Sequence, residues 1–379
     1  MAQLSLALPV LLACAAWLPP RAVAGEPSVK WKGREYALSK LPPELPKEVA
    51  EAARPLGAWA DRKGYFMELT PEADCLLITR RSGGVELNFT RIRETFAAFD
   101  GLLAPRSDSP ETSGGTQKPA RGKLEDFDLP KVGHQDAEMP RMPHQIPVLL
   151  EAKNPADYKS ALQALVESCD WLAGWVTSTG EKAYGLVLPH PLMGAWLVNA
   201  PANEEWNPEN ELVNRLAQLI LLDRAGEQPY WLLSGVAWEI ELSVRKGIYC
   251  FPYRDGFVGV EEHAGWSPQL KTAFESRESN PPTAKEIAAL KRGAYIDTQA
   301  ARAWGTAHWL MRSKTASFAA ILSDLDSARR KQGIAVAEDG TWKTIEDWDW
   351  PDAVLDEILR KQLGDDAFTQ LGAAFRAGL

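Results

Sequence analysis

The sequence predicts an α+β fold: a mixed sheet with an edge strand, two long helices packed on it, and a mostly helical C-terminal part. Three observations carry this reading. Short apolar runs of strand length occur at 65–69, 75–80, 146–151, 182–188 and 192–199, most of them bounded by Pro, Gly, Asp or Asn. Longer stretches at 47–60, 87–103, 155–175, 208–222 and 230–246 repeat their apolar residues at helical spacing. Beyond residue 250 the pattern is helical, most clearly at 298–312 and 315–331. With 379 residues, 45% of them hydrophobic and 25% charged, the composition is globular and excludes a disordered, collagenous or disulfide-scaffold chain. Lys plus Arg number 42 against 51 acidic residues, a net charge of −9 with no basic stripe, so no nucleic-acid partner is expected.

Residues 4–18 are uncharged and mostly apolar, and Pro19-Pro20-Arg21 ends the run. Ala22-Val23-Ala24 supplies small residues at −3 and −1, so 1–24 reads as a signal peptide cleaved near Ala24. Export to a periplasmic or extracellular compartment follows. Leu11-Leu12-Ala13-Cys14 also resembles a lipoprotein box, but the apolar run continues past Cys14, which favours free secretion. No later stretch reaches 18 apolar residues, so no transmembrane segment is expected. Cys75, Cys169 and Cys250 remain after cleavage. An odd number allows at most one disulfide, with the pairing open, and isolated buried thiols are the simpler expectation.

The segment 25–104 reads as a small α+β N-terminal module, with turns at 70–74 and Ser82-Gly83-Gly84. Residues 105–145, rich in Pro, Gly and charge, read as a linker. Regular pattern returns over 146–250. Asn154 caps a helix with Pro155 at its first position, and Pro189-His190-Pro191 separates two strands. Alternation through Met193-Gly194-Ala195-Trp196 marks 192–199 as the edge strand. The remainder, 251–379, reads as mostly helical.

Asn210-Glu211-Leu212-Val213-Asn214 has the spacing of a helical H-E-x-x-H zinc site, in which positions i and i+4 share a face. Trp231-Leu232-Leu233-Ser234-Gly235-Val236-Ala237 resembles the W-L-x-E-G-x-A helix that brings a third, carboxylate ligand, and 20 residues separate Asn214 from Ser234. Residues 295–310 resemble the aromatic helix that follows. On these three segments the chain resembles the peptidase-MA-like, or gluzincin, zinc metallopeptidases, over about 146–330. The resemblance implies their mixed sheet, active-site helix and glutamate helix, and zinc-dependent peptidase chemistry. This sequence departs from the pattern at all three ligand positions, which hold Asn210, Asn214 and Ser234. Neutral amides and a hydroxyl are poor zinc donors. Only the general-base position, Glu211, is kept, and without a metal to lower the pKa of water a lone carboxylate is a weak hydrolytic catalyst.

The expected function is therefore an exported pseudopeptidase with no metal, no cofactor and no catalytic residues. Its former cleft is left for a peptide or protein, or serves as a scaffold. Two rival readings stand beside it. One is an active zinc peptidase with atypical ligands; Glu239 and Glu241 are the nearby carboxylates, read here as surface acids. The other is a glycan-binding module built on some of the 15 tryptophans, with Trp342, Trp348 and Trp350 as the platform. Glu211 also has a bland reading as a solvated first-turn acid, and His308, four residues after Trp304, one as a packed or hydrogen-bonded core histidine.

Overall fold

The computed structural model describes residues 26–80, 85–103, 138–178, 180–198, 207–248, 262–277, 279–292, 296–337, 342–345 and 348–379. The expected signal peptide with Cys14 and Ala24, the expected turn at Ser82-Gly83-Gly84, most of the expected linker and Cys250 lie outside the described residues. In chain order the elements are β1 (Ser28–Trp31), β2 (Arg34–Ala37), α1 (Glu48–Lys63), β3 (Phe66–Leu69), β4 (Leu76–Thr79), α2 (Val85–Asp100), β5 (Val148–Ala152), α3 (Pro155–Ser168) and α4 (Ala173–Ser178). Then come β6 (Gly185–Leu188), β7 (Met193–Leu197), α5 (Pro208–Ala225), α6 (Tyr230–Arg245), α7 (Trp266–Phe274), α8 (Ala284–Ile287), α9 (Asp297–Ser313), α10 (Thr315–Gln332), β8 (Ile334–Val336), β9 (Trp342–Thr344), α11 (Asp352–Leu363) and α12 (Ala367–Ala377). This is an α+β fold with a helical C-terminal part.

Seven strands form one mixed sheet in the order β2-β1-β3-β4-β5-β7-β6. The neighbouring strands β4, β5 and β7 run parallel, and β6 closes the end antiparallel to β7. Two expectations are corrected by this topology. The 192–199 run is not at the edge: β7 lies between β5 and β6, and β6 is the edge strand. Alternation tells which side chains share a face of a strand, but not how many neighbours the strand has. Nor does 25–104 stand as a module of its own. All four residues of β4 are buried, and β4 pairs with β5 from Leu76↔Val148 to Thr79↔Glu151, so the sheet runs through the proposed boundary. Pairing between strands so far apart in the chain leaves no mark in a local pattern.

The sheet separates two cores. Leu76, Ile78, Val148, Leu150, Met193 and Ala195 point toward α1 and α3. Cys75, Leu77, Leu149 and Trp196 point the other way, into the larger core shared by α2, α5, α6 and the C-terminal helices. Asn154 caps α3 as expected, its side-chain oxygen accepting from the Asp157 amide at 2.8 Å, with Pro155 at the first position. Helix α3 stops at Ser168 rather than near Trp175, and α4 follows after a break. Cys75 and Cys169 are free thiols, and burial pushes both above the usual thiol range. Among the described residues no helix is long and apolar enough to cross a membrane.

Candidate functional site

Helix α5 starts at a cap built from sequence. The Asn207 side chain accepts from the amides of Glu209 at 3.0 Å and Asn210 at 3.3 Å, and Pro208 holds the first helical position. This places Asn210, Glu211 and Asn214 in the first two turns, where α5 lies between the sheet and α6. All three are buried.

Asn210 and Asn214 face α6 and meet on one carboxylate. The Asn210 Nδ2 donates to Glu241 Oε1 at 2.6 Å, and the Asn214 Nδ2 donates to Glu241 Oε2 at 3.0 Å. Each amide oxygen is occupied as well. Arg245 Nε donates to Asn210 Oδ1 at 3.2 Å, and Gln218 Nε2 donates to Asn214 Oδ1 at 2.8 Å. Asn210 Nδ2 also reaches the Gly247 carbonyl at 3.2 Å. The network continues outward, for Glu209 holds Arg245 at 2.6 Å and Arg91 of α2 at 3.0 Å. Three helices are therefore tied together by a chain of charge-assisted hydrogen bonds, the stronger kind.

Glu211 looks in another direction. It lies under the sheet and pairs with Arg215 one turn on, with contacts of 3.0 Å to Nε and 2.8 Å to Nη2. Two strand glycines make the room. A Cβ on Gly185 would sit 2.8 Å from Arg215 Nη2 and 3.1 Å from Glu211 Oε2, and one on Gly194 would sit 2.9 Å from the Arg215 Cβ. Burial pushes the Glu211 carboxyl above its usual range, and the charge and hydrogen bond of Arg215 offset only part of that. The other oxygen, Oε1, has no hydrogen-bond partner among the described residues. With 0% exposure, Glu211 is neither a solvated first-turn acid nor a base in an open cleft. A general base must come within hydrogen-bond reach of the proton it takes.

Ser234 is not brought to this group. It is buried on α6, and no hydrogen bond joins it to Asn210 or Asn214. Glu241 stands seven residues further on, two turns or about 10.5 Å along the axis at 1.5 Å per residue. The rest of the W-L-x-x-G-x-A segment has a packing explanation: Trp231, Leu232, Gly235 and Ala237 are all buried. A Cβ on Gly235 would lie 2.5 Å from the Ala303 carbonyl oxygen and 2.9 Å from the Ala307 Cβ, so this glycine lets α6 and α9 touch closely.

The two acids expected on the surface are buried instead, Glu239 to 1% and Glu241 to 0% exposure. Glu239 faces α9, where His308 Nδ1 lies 2.9 Å from Oε2 and Arg312 Nε lies 2.9 Å from Oε1. Burial acts to raise its pKa, but hydrogen bonds and charge from His308 and Arg312 outweigh that and hold the carboxyl below the usual range. His308 also packs on the Trp304 ring, at 5.4 Å between centroids. Of the tryptophan platform, Trp350 is buried with its Nε1 donating to the Leu325 carbonyl at 3.0 Å, and Trp348 packs edge-on against it. Trp350 thus belongs to the core and offers no open face to a sugar.

Zinc is the metal that the family resemblance implies, and this donor set does not fit it. Both amides turn N–H groups toward the shared carboxylate and spend their oxygens on Arg245 and Gln218. The Arg245 guanidinium stands against the Asn210 oxygen. Among the described residues no group of three or more His, Cys, Asp and Glu side chains is placed to hold a metal ion. Neither models of protein families nor curated proteins match this chain when compared with it.

Sequence reasoning missed Arg215, Gln218 and Arg245, and took Glu241 for a surface acid. Glu211 and Arg215 carry a readable signal, an i,i+4 acid–base pair on one helix. Nothing in the sequence marks Glu241 as the residue opposite Asn210.

Proposed function

We propose that this chain is an exported, non-catalytic protein of gluzincin-like build, acting as a scaffold whose outer surface engages a peptide or protein partner. The observation that carries the reading is the amide clasp. The positions where the resemblance places two imidazoles hold Asn210 and Asn214, both bonded to Glu241, and the position of the general base is sealed in an ion pair. Such an arrangement ties helices together but supplies neither a Lewis acid nor a base that water can reach. The scaffold role is favoured over a peptide seated in the former cleft, because Asn210 and Asn214 are 5% and 3% exposed. Export rests on the apolar run and Ala22-Val23-Ala24 of the leader, with release near Ala24 and no lipid at Cys14.

The test is metal analysis and peptidase assay on the purified chain after incubation with excess zinc and dialysis. The expected result is well under one zinc per chain and no peptide hydrolysis sensitive to a chelator. One tightly held zinc together with chelator-sensitive hydrolysis would overturn the proposal in favour of a metallopeptidase with atypical ligands.

A further inference from the structure

We propose that the chain binds a phosphoryl group, as free phosphate or as the monoester of a small molecule, between Lys63, Arg80 and Lys153 at the carboxyl ends of β4 and β5. The place follows from the topology. β4 and β5 are parallel neighbours, yet the helices that follow them leave on opposite faces of the sheet. α2 puts Phe89, Ile92 and Phe99 into the larger core, whereas α3 puts Tyr158, Ala161 and Leu162 into the smaller one. Where parallel neighbours send their connections to opposite sides, a crevice opens beyond their carboxyl ends, and open α/β sheets bind ligands there. The end of α1 reaches this point from the α3 side. Trp59 Nε1 donates to Ser160 Oγ at 2.9 Å, and Lys63, one turn further on, meets Asp157. The amide clasp lies on the other side of the sheet, with α5.

Asp157 gathers cations here without using up their donors. Its carboxylate is buried and accepts from the Tyr65 hydroxyl at 3.0 Å and from Asn154 Nδ2 at 3.1 Å. Burial above all pushes the Tyr65 hydroxyl up to about 12, so it stays a donor. Lys63 Nζ stands at 3.7 Å and Arg80 Nη1 at 3.5 Å, outside the usual N–H···O range of about 2.7–3.2 Å. Both are drawn in by charge and keep N–H groups for another acceptor, with side chains 42% and 44% exposed. Arg80 also lies over the Tyr65 ring, 5.9 Å from its centroid, which steadies the guanidinium. Lys153 is exposed, and its amide donates to the Tyr65 hydroxyl at 2.9 Å, so its side chain leaves from the same spot. Three cations beside Asp157 make this corner positive on a chain whose net charge is −9. A phosphoryl group suits it. Its three terminal oxygens accept a guanidinium in bidentate fashion and ammonium groups as point charges, whereas a carboxylate has only two oxygens to share.

The experiment titrates the full chain with inorganic phosphate and with glycerol phosphate by calorimetry, at an ionic strength held constant with sodium chloride. The expected result is saturable binding of one phosphate compound per chain with a Kd of about 1 mM or below. The tighter of the two identifies free phosphate or a monoester as the source. Acetate should bind about tenfold more weakly or worse. Arg80→Gln and Lys63→Gln should each weaken binding about fivefold or more, while Lys30→Gln, at a cation held by Glu68 on β1, should change it less than about twofold. The native chain gives a second reading that needs no variant. Phosphate should slow acetylation of Lys63 and Lys153 by an amine-reactive reagent, mapped by mass spectrometry, and leave Lys30 unchanged. No saturable binding of either compound below about 20 mM overturns the proposal. So does affinity indifferent to both Arg80→Gln and Lys63→Gln, acetate bound as tightly as phosphate, or protection no greater at Lys63 than at Lys30.

Discussion

Glu211 and Glu239 are both buried carboxylates on adjacent helices, yet their acidities move in opposite directions. Among the described residues Glu211 has one partner, Arg215, and leaves an oxygen without a hydrogen bond. Glu239 has two, His308 on one oxygen and Arg312 on the other. Burial disfavours the charged form in both, and the number of donors decides whether that penalty is overcome. The difference teaches that being enclosed does not itself make a carboxylate a base. Glu211 behaves as half of a packing ion pair.

The comparison is broken most severely at Arg215. Arg215→Met should strand Glu211 without a counter-ion and cost about 3–5 kcal/mol in urea unfolding, because an unpaired buried charge is what makes such losses large. Adding Glu211→Leu should return most of that stability, since an apolar pair of similar volume is often as good as a buried ion pair. A double variant no more stable than the single one would show that Arg215 matters for something other than Glu211.

A smaller effect is expected from the sheet side. Gly185→Ala inserts a methyl 2.8 Å from Arg215 Nη2 and 3.2 Å from the Ala195 carbonyl oxygen, and the latter belongs to backbone that cannot swing away. The expected loss is about 1–3 kcal/mol, the usual range for overpacking, read from the shift of the urea midpoint. An unchanged midpoint would mean that the ion pair has room it does not show.

The smallest effect is a change of slope with pH, and it separates the two acids cleanly. The Glu211 pKa is raised above 4.5 in the fold, so the folded chain holds a proton the unfolded chain has released. Its contribution to stability is lost as pH rises from 4.5 through the folded value. The Glu239 pKa is lowered, so its contribution is present above 4.5 and is lost as pH falls below that value through the folded one. Unfolding free energies measured from pH 3 to 7.5 should show Glu211→Gln removing a downward slope above about 4.5, and Glu239→Gln removing a loss below it. Both variants altering the same side of pH 4.5 would contradict the assignment.

Much of the local structure was legible because it depends on near neighbours. Asn154-Pro155 announced the start of α3, and the apolar spacing of 208–222 and 230–246 announced α5 and α6, which run Pro208–Ala225 and Tyr230–Arg245. Less was legible about the site. Helical periodicity puts Asn210 and Asn214 on one face, and the structure keeps them together. It also permits Ser234 and Glu241, seven residues apart, to share a face of α6, and it cannot say which of the two stands opposite α5. The structure sets Glu241 against the two amides.

The sequence by itself determined the element types, the caps, the α+β class and the absence of imidazole and carboxylate at positions 210, 214 and 234, because these depend on residue identity and short-range spacing. The tertiary structure alone decided the rest. It placed β7 inside the sheet with β6 at the edge, carried one sheet through the apparent boundary near residue 146, and slid α6 along α5 until Glu241 met the two amides. Those outcomes are set by which surfaces bury one another across many residues of chain. Gly185, Gly194 and Gly235, through the close approaches they allow, fix distances that no local pattern encodes.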